Sequence, residues 1–154
     1  MQLYIHQRIT LRRDVFDVYD ENLQTKYFVK EDLLTAGHEL YVYDMQNNVI
    51  GFINEQVLTA RKTFVLELFG EPLGILRQKL PFAPRYETNF NSWLIKCDPF
   101  GWYFDIYDGT QDVAHIMKKS NALGDVYEID ICNPADEWVV LLIAIALDVA
   151  RDRH

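Results

Sequence analysis

Residues 138–147 form an uninterrupted run of ten apolar residues near the C-terminal end of the sequence. Asn133, before this run, is a preferred helix N-cap residue, and Pro134 suits the first helical position. Two acidic residues follow, where the helix dipole favours negative charge. The sequence therefore predicts a helix over residues 134–150 that is apolar on nearly every side.

A helix without a polar face must be surrounded, either by lipid or by other parts of the protein. A membrane-spanning helix needs about 20 apolar residues, whereas runs of about 10–14 are more typical of helices in a protein core. We therefore expect a core helix and no transmembrane segment. Burial of one large apolar side chain is worth about 1.5–3 kcal/mol. The side chains expected to dominate the stability of this core are Trp138, Leu141, Leu142, Ile143, Ile145 and Leu147.

The sequence before this helix has the pattern of short strands separated by turns. Apolar and polar residues alternate over residues 4–9, 16–19 and 40–43, which is typical of strands with one buried face. Turn-forming pairs such as Asp108–Gly109 separate these segments. About twelve strands are predicted over residues 3–131.

A weak internal repeat points to hairpins. The sequence FDVYD at residues 16–20 reappears as FDIYD at residues 104–108, and residues 41–44 give a shorter version. Each copy ends in Asp, which forms local hydrogen bonds in turns, and a polar turn and an apolar return strand follow. A series of hairpins protects its edge strands by closing into a barrel.

The expected barrel and the expected helix fit each other. An eight-stranded barrel is filled by its own side chains, but a twelve-stranded barrel is too wide for that. The predicted fold class is therefore mainly β with one C-terminal helix: a closed barrel of about twelve antiparallel strands around a buried central hydrophobic α-helix. Because no segment has the composition of a linker, we expect residues 1–154 to form a single domain.

Charge and cysteine content narrow the functional classes. The formal net charge of −8 argues against indiscriminate binding to nucleic acid or to anionic membranes, which requires a broad basic face. Cys97 and Cys132 have no partner nearby in the sequence, so we expect two reduced, mostly buried thiols. No apolar signal core is found in residues 1–13, and a cytoplasmic location is expected.

Several segments, in this order and spacing, resemble the LURP-one-related family of the tubby C-terminal-like superfamily, which also includes the phospholipid scramblases. The segments are Tyr4 with Ile5, residues 14–20, residues 37–44, residues 124–131, Asp136 with Glu137, and the apolar helix that ends at Asp148. The resemblance covers nearly the whole chain. It implies a twelve-stranded barrel around a central C-terminal helix.

The resemblance also implies candidate functions. Tubby-type relatives are linked to phosphoinositide binding and membrane tethering, and scramblases to calcium-dependent lipid movement. This sequence lacks the basic tail of tubby proteins. It also lacks the Pro-rich extension and the cysteine-rich palmitoylation segment of scramblases.

No motif for catalysis or cofactor binding is found in the sequence. Asp105, Asp108 and Asp112 could be read as calcium ligands, but their spacing does not match an EF-hand, and a turn explains them equally well. The four histidines have no metal-binding spacing. Asp148 directly follows the apolar run, and it is either a desolvated carboxylate with acid–base potential or a helix-end partner of Arg151.

Short basic clusters could hold a phosphorylated headgroup if they meet at a barrel rim. The candidate residues are Arg12, Arg13, Lys118 and Lys119, and the pair Arg61 and Lys62 forms a third cluster. The leading hypothesis is a non-enzymatic binding or scaffold module without catalytic residues, cofactors or metals and with an unknown partner. The alternative is a peripheral membrane protein that binds anionic, phosphoinositide-like headgroups at the rim.

Overall fold

The computed structural model describes residues 1–8, 15–32, 36–81, 84–121 and 124–152. A 3-10 turn, Pro134–Asp136, leads into helix α1, Glu137–Asp152. The twelve strands are β1 (Gln2–Arg8), β2 (Val15–Tyr19), β3 (Thr25–Asp32), β4 (Glu39–Asp44), β5 (Val49–Glu55), β6 (Thr63–Leu68), β7 (Glu71–Gln78), β8 (Arg85–Thr88), β9 (Leu94–Cys97), β10 (Tyr103–Asp108), β11 (Gln111–Asn121) and β12 (Gly124–Ile131).

The strands form a closed antiparallel barrel in which each strand pairs with its neighbours in sequence. The first and last strands close the ring, with Leu3 on β1 opposite Ile129 on β12. Closure removes the exposed edges that an open sheet of hairpins would have. The predicted fold class, a mainly β barrel of twelve strands with one C-terminal helix, is confirmed.

The alternation of side chains along each strand produces the core. On β4, Leu40 and Val42 are completely buried, while Tyr41 and Tyr43 face outward and remain partly exposed. The inward-facing residues of the strands and the apolar residues of α1 form one hydrophobic cluster.

Helix α1 is buried on all sides over more than two turns. Every residue from Val140 to Leu147 is at most 3% exposed, although consecutive residues point about 100° apart around a helix. Leu142 lies directly against Gly51 on β5, and Asp148 contacts Tyr127 on β12. Since β5 and β12 lie on nearly opposite walls of the ring, this burial and these contacts are consistent with a helix that fills the barrel.

Trp138 departs from the predicted core set, because its side chain is 39% exposed. The helix begins here, at the mouth of the barrel, so the indole contacts the rim and solvent. Its ring packs edge-on against Phe69, with centroids 4.7 Å apart. Its Nε1–H donates to the hydroxyl of Tyr27 at 2.9 Å. The other five residues of that set, Leu141, Leu142, Ile143, Ile145 and Leu147, are at most 1% exposed.

The start of the helix also differs in detail from the expectation. Asn133 caps the chain through its side-chain oxygen, which accepts from the N–H of Ala135 at 3.1 Å, but the first turn is 3-10. Glu137 is buried, and its carboxylate binds the Lys26 ammonium and the Tyr27 hydroxyl, each at 2.5 Å. These bonds fix the helix start to β3.

Candidate functional site at the barrel rims

Successive loops alternate between the two ends of the barrel because neighbouring strands are antiparallel. The end where α1 begins, here called the upper rim, carries the turns that follow β2, β4, β6, β8 and β10. The end where α1 finishes, here called the lower rim, carries the connections after β3, β5, β7, β9 and β11. The two rims differ in charge.

Positive charge is concentrated towards the lower rim. Within the described ranges, every Lys and Arg except Lys26 lies in that half of the barrel. These residues are Arg8, Lys30, Arg61, Lys62, Arg77, Lys79, Arg85, Lys96, Lys118, Lys119 and Arg151. Acidic residues on or near the upper rim are Asp20, Glu21, Asp44, Glu67, Glu71, Asp108, Asp112, Asp136 and Glu137. The lower half also carries acidic residues, among them Glu31, Asp32, Glu39, Glu55, Asp98 and Asp125, so the upper end is acidic whereas the lower end has mixed charge.

Two neighbouring loops of the lower rim carry a basic cluster, defined here as Arg61, Lys79 and Arg85. The Arg61 guanidinium donates from Nη1 to the carbonyl oxygen of Lys79 at 3.0 Å. The backbone N–H of Lys79 donates to the carbonyl oxygen of Arg85 at 2.9 Å. These bonds hold the loops together, and the Lys79 and Arg85 side chains are exposed.

Large apolar side chains project from the same rim. Leu58 is completely exposed, and Phe100 is 76% exposed. Val57, Leu80 and Trp102 are further exposed apolar residues of these loops. A rim that combines basic residues with exposed apolar and aromatic tips has the composition of an interfacial binding surface.

Of the four predicted headgroup residues, the structure describes two, Lys118 and Lys119, and these lie on opposite faces of β11. Arg12 and Arg13 lie outside the described residues. Lys118 is half-buried, and its Nζ lies 5.6 Å from the ring centroid of Tyr127. Lys119 is exposed on the opposite face of β11 and donates to a carboxylate on β12 at 2.9 Å. Lys118 therefore faces the lower opening, and Lys119 belongs to the outer wall.

Two residues of the basic cluster, Lys79 and Arg85, were not predicted from the sequence. Each is an isolated basic residue, one at either end of the connection between β7 and β8. The signal was nevertheless present. In a series of hairpins, alternate loops share one end, so counting strands assigns each charged residue to an end.

The Arg61 and Lys62 pair, recognised in the sequence, occupies the neighbouring loop. Lys62 Nζ lies 4.0 Å from a carboxylate oxygen of Glu55, so this lysine faces an acidic neighbour. Arg61 instead contacts a backbone carbonyl and belongs to the basic cluster.

A cleft of about 410 Å³ opens near the upper rim. Trp93 lines it, together with the carboxylates of Asp108, Asp112 and Asp136. Burial raises the pKa of Asp136 above its ordinary value, and the nearby charge of Asp108 raises it further. Exposed Cys132 also lines the cleft, so the expectation of buried thiols fails at this position.

Two of the carboxylates considered as calcium ligands, Asp105 and Asp112, have His115 as a partner. Asp105 binds the His115 imidazole at 2.7 Å on the outer wall, which raises the pKa of His115. Asp108 and Asp112 lie at the acidic cleft. Among the residues that the structure describes, no group of three or more His, Cys, Asp or Glu side chains is placed to hold a metal ion.

Asp148 forms a polar contact inside the apolar interior. It is 2% exposed, and its Oδ1 accepts from the hydroxyl of Tyr127 at 2.5 Å. The predicted partner Arg151 has a side chain outside the described part of the structure. The Tyr127 hydroxyl therefore supplies a hydrogen bond that a buried carboxyl group requires.

A second buried carboxylate lies close to the lower rim. Glu31 is 6% exposed and hydrogen-bonds to the His38 imidazole. This bond raises the pKa of His38 above its ordinary value, against the opposing effect of burial. The charges of Glu31 and Glu55 raise it further.

The described part of the chain contains no helix with the length and apolarity needed to cross a bilayer. Among solved structures, the chain is similar to a protein from Arabidopsis thaliana, with a TM-score of 0.67 at 13% identity. The match covers 97% of this chain and 92% of the other. At this identity, the likeness concerns the fold.

Sequence comparison gives the family. The chain is 23% identical over 150 residues to the uncharacterized protein YxjI of Bacillus subtilis (strain 168), a match that covers 97% of this chain and 93% of YxjI. The family model described as LURP-one-related matches residues 1–148. Because this match spans nearly the whole chain and agrees with the barrel and its C-terminal helix, the protein belongs to the LURP-one-related family.

Proposed function

We propose that the chain is a non-enzymatic, cytoplasmic binding module that attaches peripherally to anionic phospholipid surfaces through its lower rim. The observation that carries this proposal is the basic cluster, which lies among loops with exposed apolar tips. Basic residues are attracted to anionic headgroups, and apolar tips can enter the boundary between headgroups and acyl chains.

The interior of the barrel supports a binding role over an enzymatic one. Catalytic sites usually occupy a concave pocket, and the interior here is occupied by the side chains of α1. The chain thus acts as one domain that presents its rims to partners. The acidic cleft near the upper rim is the place to test this part of the proposal, and catalytic turnover that depends on Asp136 or Cys132 would count against it.

The overall charge of −8 and the proposed lipid binding are compatible because the charge is unevenly distributed. Beyond about 8 Å, charges are largely screened at physiological ionic strength. A membrane at the lower rim therefore interacts mainly with the nearby basic cluster, while the acidic upper rim lies a barrel length away.

Co-sedimentation with vesicles tests the proposal. Binding to vesicles that contain phosphatidylserine or a phosphoinositide should exceed binding to pure phosphatidylcholine vesicles and should weaken as salt increases. Each basic residue near an anionic surface contributes about 1 kcal/mol. The triple variant Arg61→Gln, Lys79→Gln, Arg85→Gln should therefore lose up to roughly 100-fold in affinity.

A variant with the same change in net charge provides the matched control. Gln24→Glu, Gln46→Glu and Gln111→Glu alter three exposed side chains on the upper rim. This control should bind vesicles almost as well as the natural protein. Equal losses in both triple variants would show that only total charge matters and would contradict a lower-rim site.

The four residues predicted from the sequence give a second test. Charge reversal at Arg12, Arg13, Lys118 and Lys119 should also weaken vesicle binding if they contribute to the site. No binding to any vesicle at low salt would refute lipid attachment and leave the scaffold function, with protein partners as the remaining candidates.

A further inference from the structure

The upper rim carries an apolar surface that the proposed lipid site does not use. Three neighbouring turns and the start of α1 contribute large apolar side chains, each between 39% and 69% exposed. These residues, called here the apolar arc, are Leu23, Met45, Val49, Phe69 and Trp138. Exposed apolar side chains grouped at one end of a protein mark an interaction surface.

Contacts join the Phe69 side of the arc to β5, to the start of α1 and to β3. The backbone N–H of Phe69 donates to the carbonyl oxygen of Ile50 at 2.7 Å, which ties the turn after β6 to β5. The Phe69 ring then packs on Trp138, whose indole reaches Tyr27 on β3. The aromatic pair therefore spans the side of the mouth between β6 and β3.

Two arc residues have a backbone conformation that large apolar residues rarely adopt. Leu23 has a φ of 61° and Phe69 a φ of 52°, in the left-handed region that Gly, Asn and Asp adopt most readily. A large apolar residue in this conformation bears backbone strain, and both side chains remain more than half exposed, so they gain only part of the burial available to them. Contact with a partner would supply the missing burial.

The charged residues around the arc indicate the charge of a suitable partner. Glu21, Glu67 and Glu71 lie on two of the three hairpins that carry the arc. Among the residues with a described position, the basic one in this half of the barrel is Lys26, and it binds Glu137 at 2.5 Å. An anionic lipid would be repelled here, and so would the same acidic rim of a second copy of the chain. A basic partner would be attracted.

We propose that the upper rim binds a short, basic, amphipathic segment of a partner protein. Its apolar side chains pack on the arc, with Phe69 and Trp138 as the central contacts, and its Lys or Arg residues pair with the surrounding glutamates. Aromatic anchors of this kind supply most of the affinity in protein interfaces, and complementary charge steers association.

The test uses a fluorescently labelled peptide of Leu and Lys, arranged as an amphipathic helix, and fluorescence anisotropy at physiological salt. The double variant Leu23→Asn, Phe69→Asn removes two arc side chains, and Asn suits their left-handed backbone, so folding is preserved. Its affinity for the peptide should fall by roughly tenfold or more.

Leu58→Asn is the matched control. Leu58 has the same φ as Leu23, 61°, and its side chain is even more exposed. Unlike Leu23, it lies on the lower rim. This variant should bind the peptide with unchanged affinity. A Leu and Glu peptide of the same apolar pattern should bind much more weakly than the Leu and Lys peptide.

Three results would overturn the proposal. They are absence of Leu and Lys peptide binding, equal loss in the double variant and the Leu58→Asn control, and equal binding of the acidic peptide. Sedimentation equilibrium adds a fourth, because self-association abolished by the double variant would assign the arc to a second copy of this chain.

Discussion

Replacement of Gly51 with Ala should destabilise the barrel through one contact with the central helix. A Cβ atom at this position on β5 would lie 2.5 Å from Cδ2 of Leu142 and 3.4 Å from two further atoms of that side chain. Leu142 is 1% exposed, so the close-packed surroundings limit its movement. Overpacking of this kind costs about 1–3 kcal/mol, and we expect a loss near the middle of that range.

The double variant with Leu142→Ala reveals whether the loss comes from that contact. Leu142→Ala alone should cost about 2–5 kcal/mol, through lost burial and an unfilled cavity. In the double variant, the methyl group introduced at position 51 has room, and it fills part of the cavity. The combined loss should therefore be smaller than the sum of the single losses by about 1–2 kcal/mol.

Urea denaturation followed by far-UV circular dichroism measures these free energies. The control pair is Gly51→Ala with Leu147→Ala. Leu147 is also buried, but it lies five residues further along α1, about 7.5 Å away along the axis and on another face. This pair should be additive. Additivity in the Leu142 pair as well would refute the packing of α1 against β5.

Three further changes test other parts of the structure. Ile143→Asp places an unpaired charge in the core, and the cost is comparable to the total stability of a domain, about 5–15 kcal/mol. Thermal melts should therefore show an unfolded variant. The control Ile143→Val should lose only about 1 kcal/mol of stability. Tyr127→Phe removes the donor to buried Asp148 and should cost about 1–3 kcal/mol in urea denaturation; an unchanged midpoint would contradict this bond's role. His38→Gln should destabilise the protein most in acid: the pKa of His38 is raised by its bond to Glu31, so its contribution is complete below about pH 6.5 and is lost as pH rises through the raised pKa. Melting temperatures of both proteins across this pH range check the sign, and a constant difference would count against it.

The architecture was predictable because two sequence patterns depend on each other. Alternation over the strands and the repeats FDVYD and FDIYD indicate hairpins, and the apolar run at residues 138–147 requires a surrounding structure. Strand pairing then follows largely from order in the sequence, since neighbours in the chain pair throughout the barrel. Only the ring-closing pair of β1 with β12 joins distant segments.

The placement of individual side chains was less predictable. Trp138 belongs to the apolar run, but the helix start is fixed by bonds between Glu137 and β3, which leave the indole at the mouth. Such a bond between residues 27 and 137 has no local sequence signal. In the same way, adjacent Lys118 and Lys119 look like a pair in sequence, but they point to opposite faces of their strand.

The distribution of charge between the two rims was predictable only once the fold was known. Basic residues such as Arg61 and Arg85 are distant in sequence, and nothing local connects them. Only the alternation of loops in a closed series of hairpins brings them to one end. The fold is therefore what makes the charge distribution meaningful, because composition alone gives a net charge of −8 and predicts repulsion from anionic surfaces.

The positions of the two rims lead to a last prediction, that their binding reactions are independent. Helix α1, with 16 residues and about 1.5 Å per residue, separates the rims by about 24 Å, which is several times the screening length of about 8 Å at physiological salt. The apolar arc would then face away from a membrane held at the lower rim. Saturating anionic vesicles should change the affinity of the upper rim for the Leu and Lys peptide by less than about twofold. The measurement is made under conditions where the peptide itself does not bind lipid. Competition between vesicles and peptide would show that the two ligands share one surface, and a strong mutual enhancement would show that the barrel has two conformations that both rims influence.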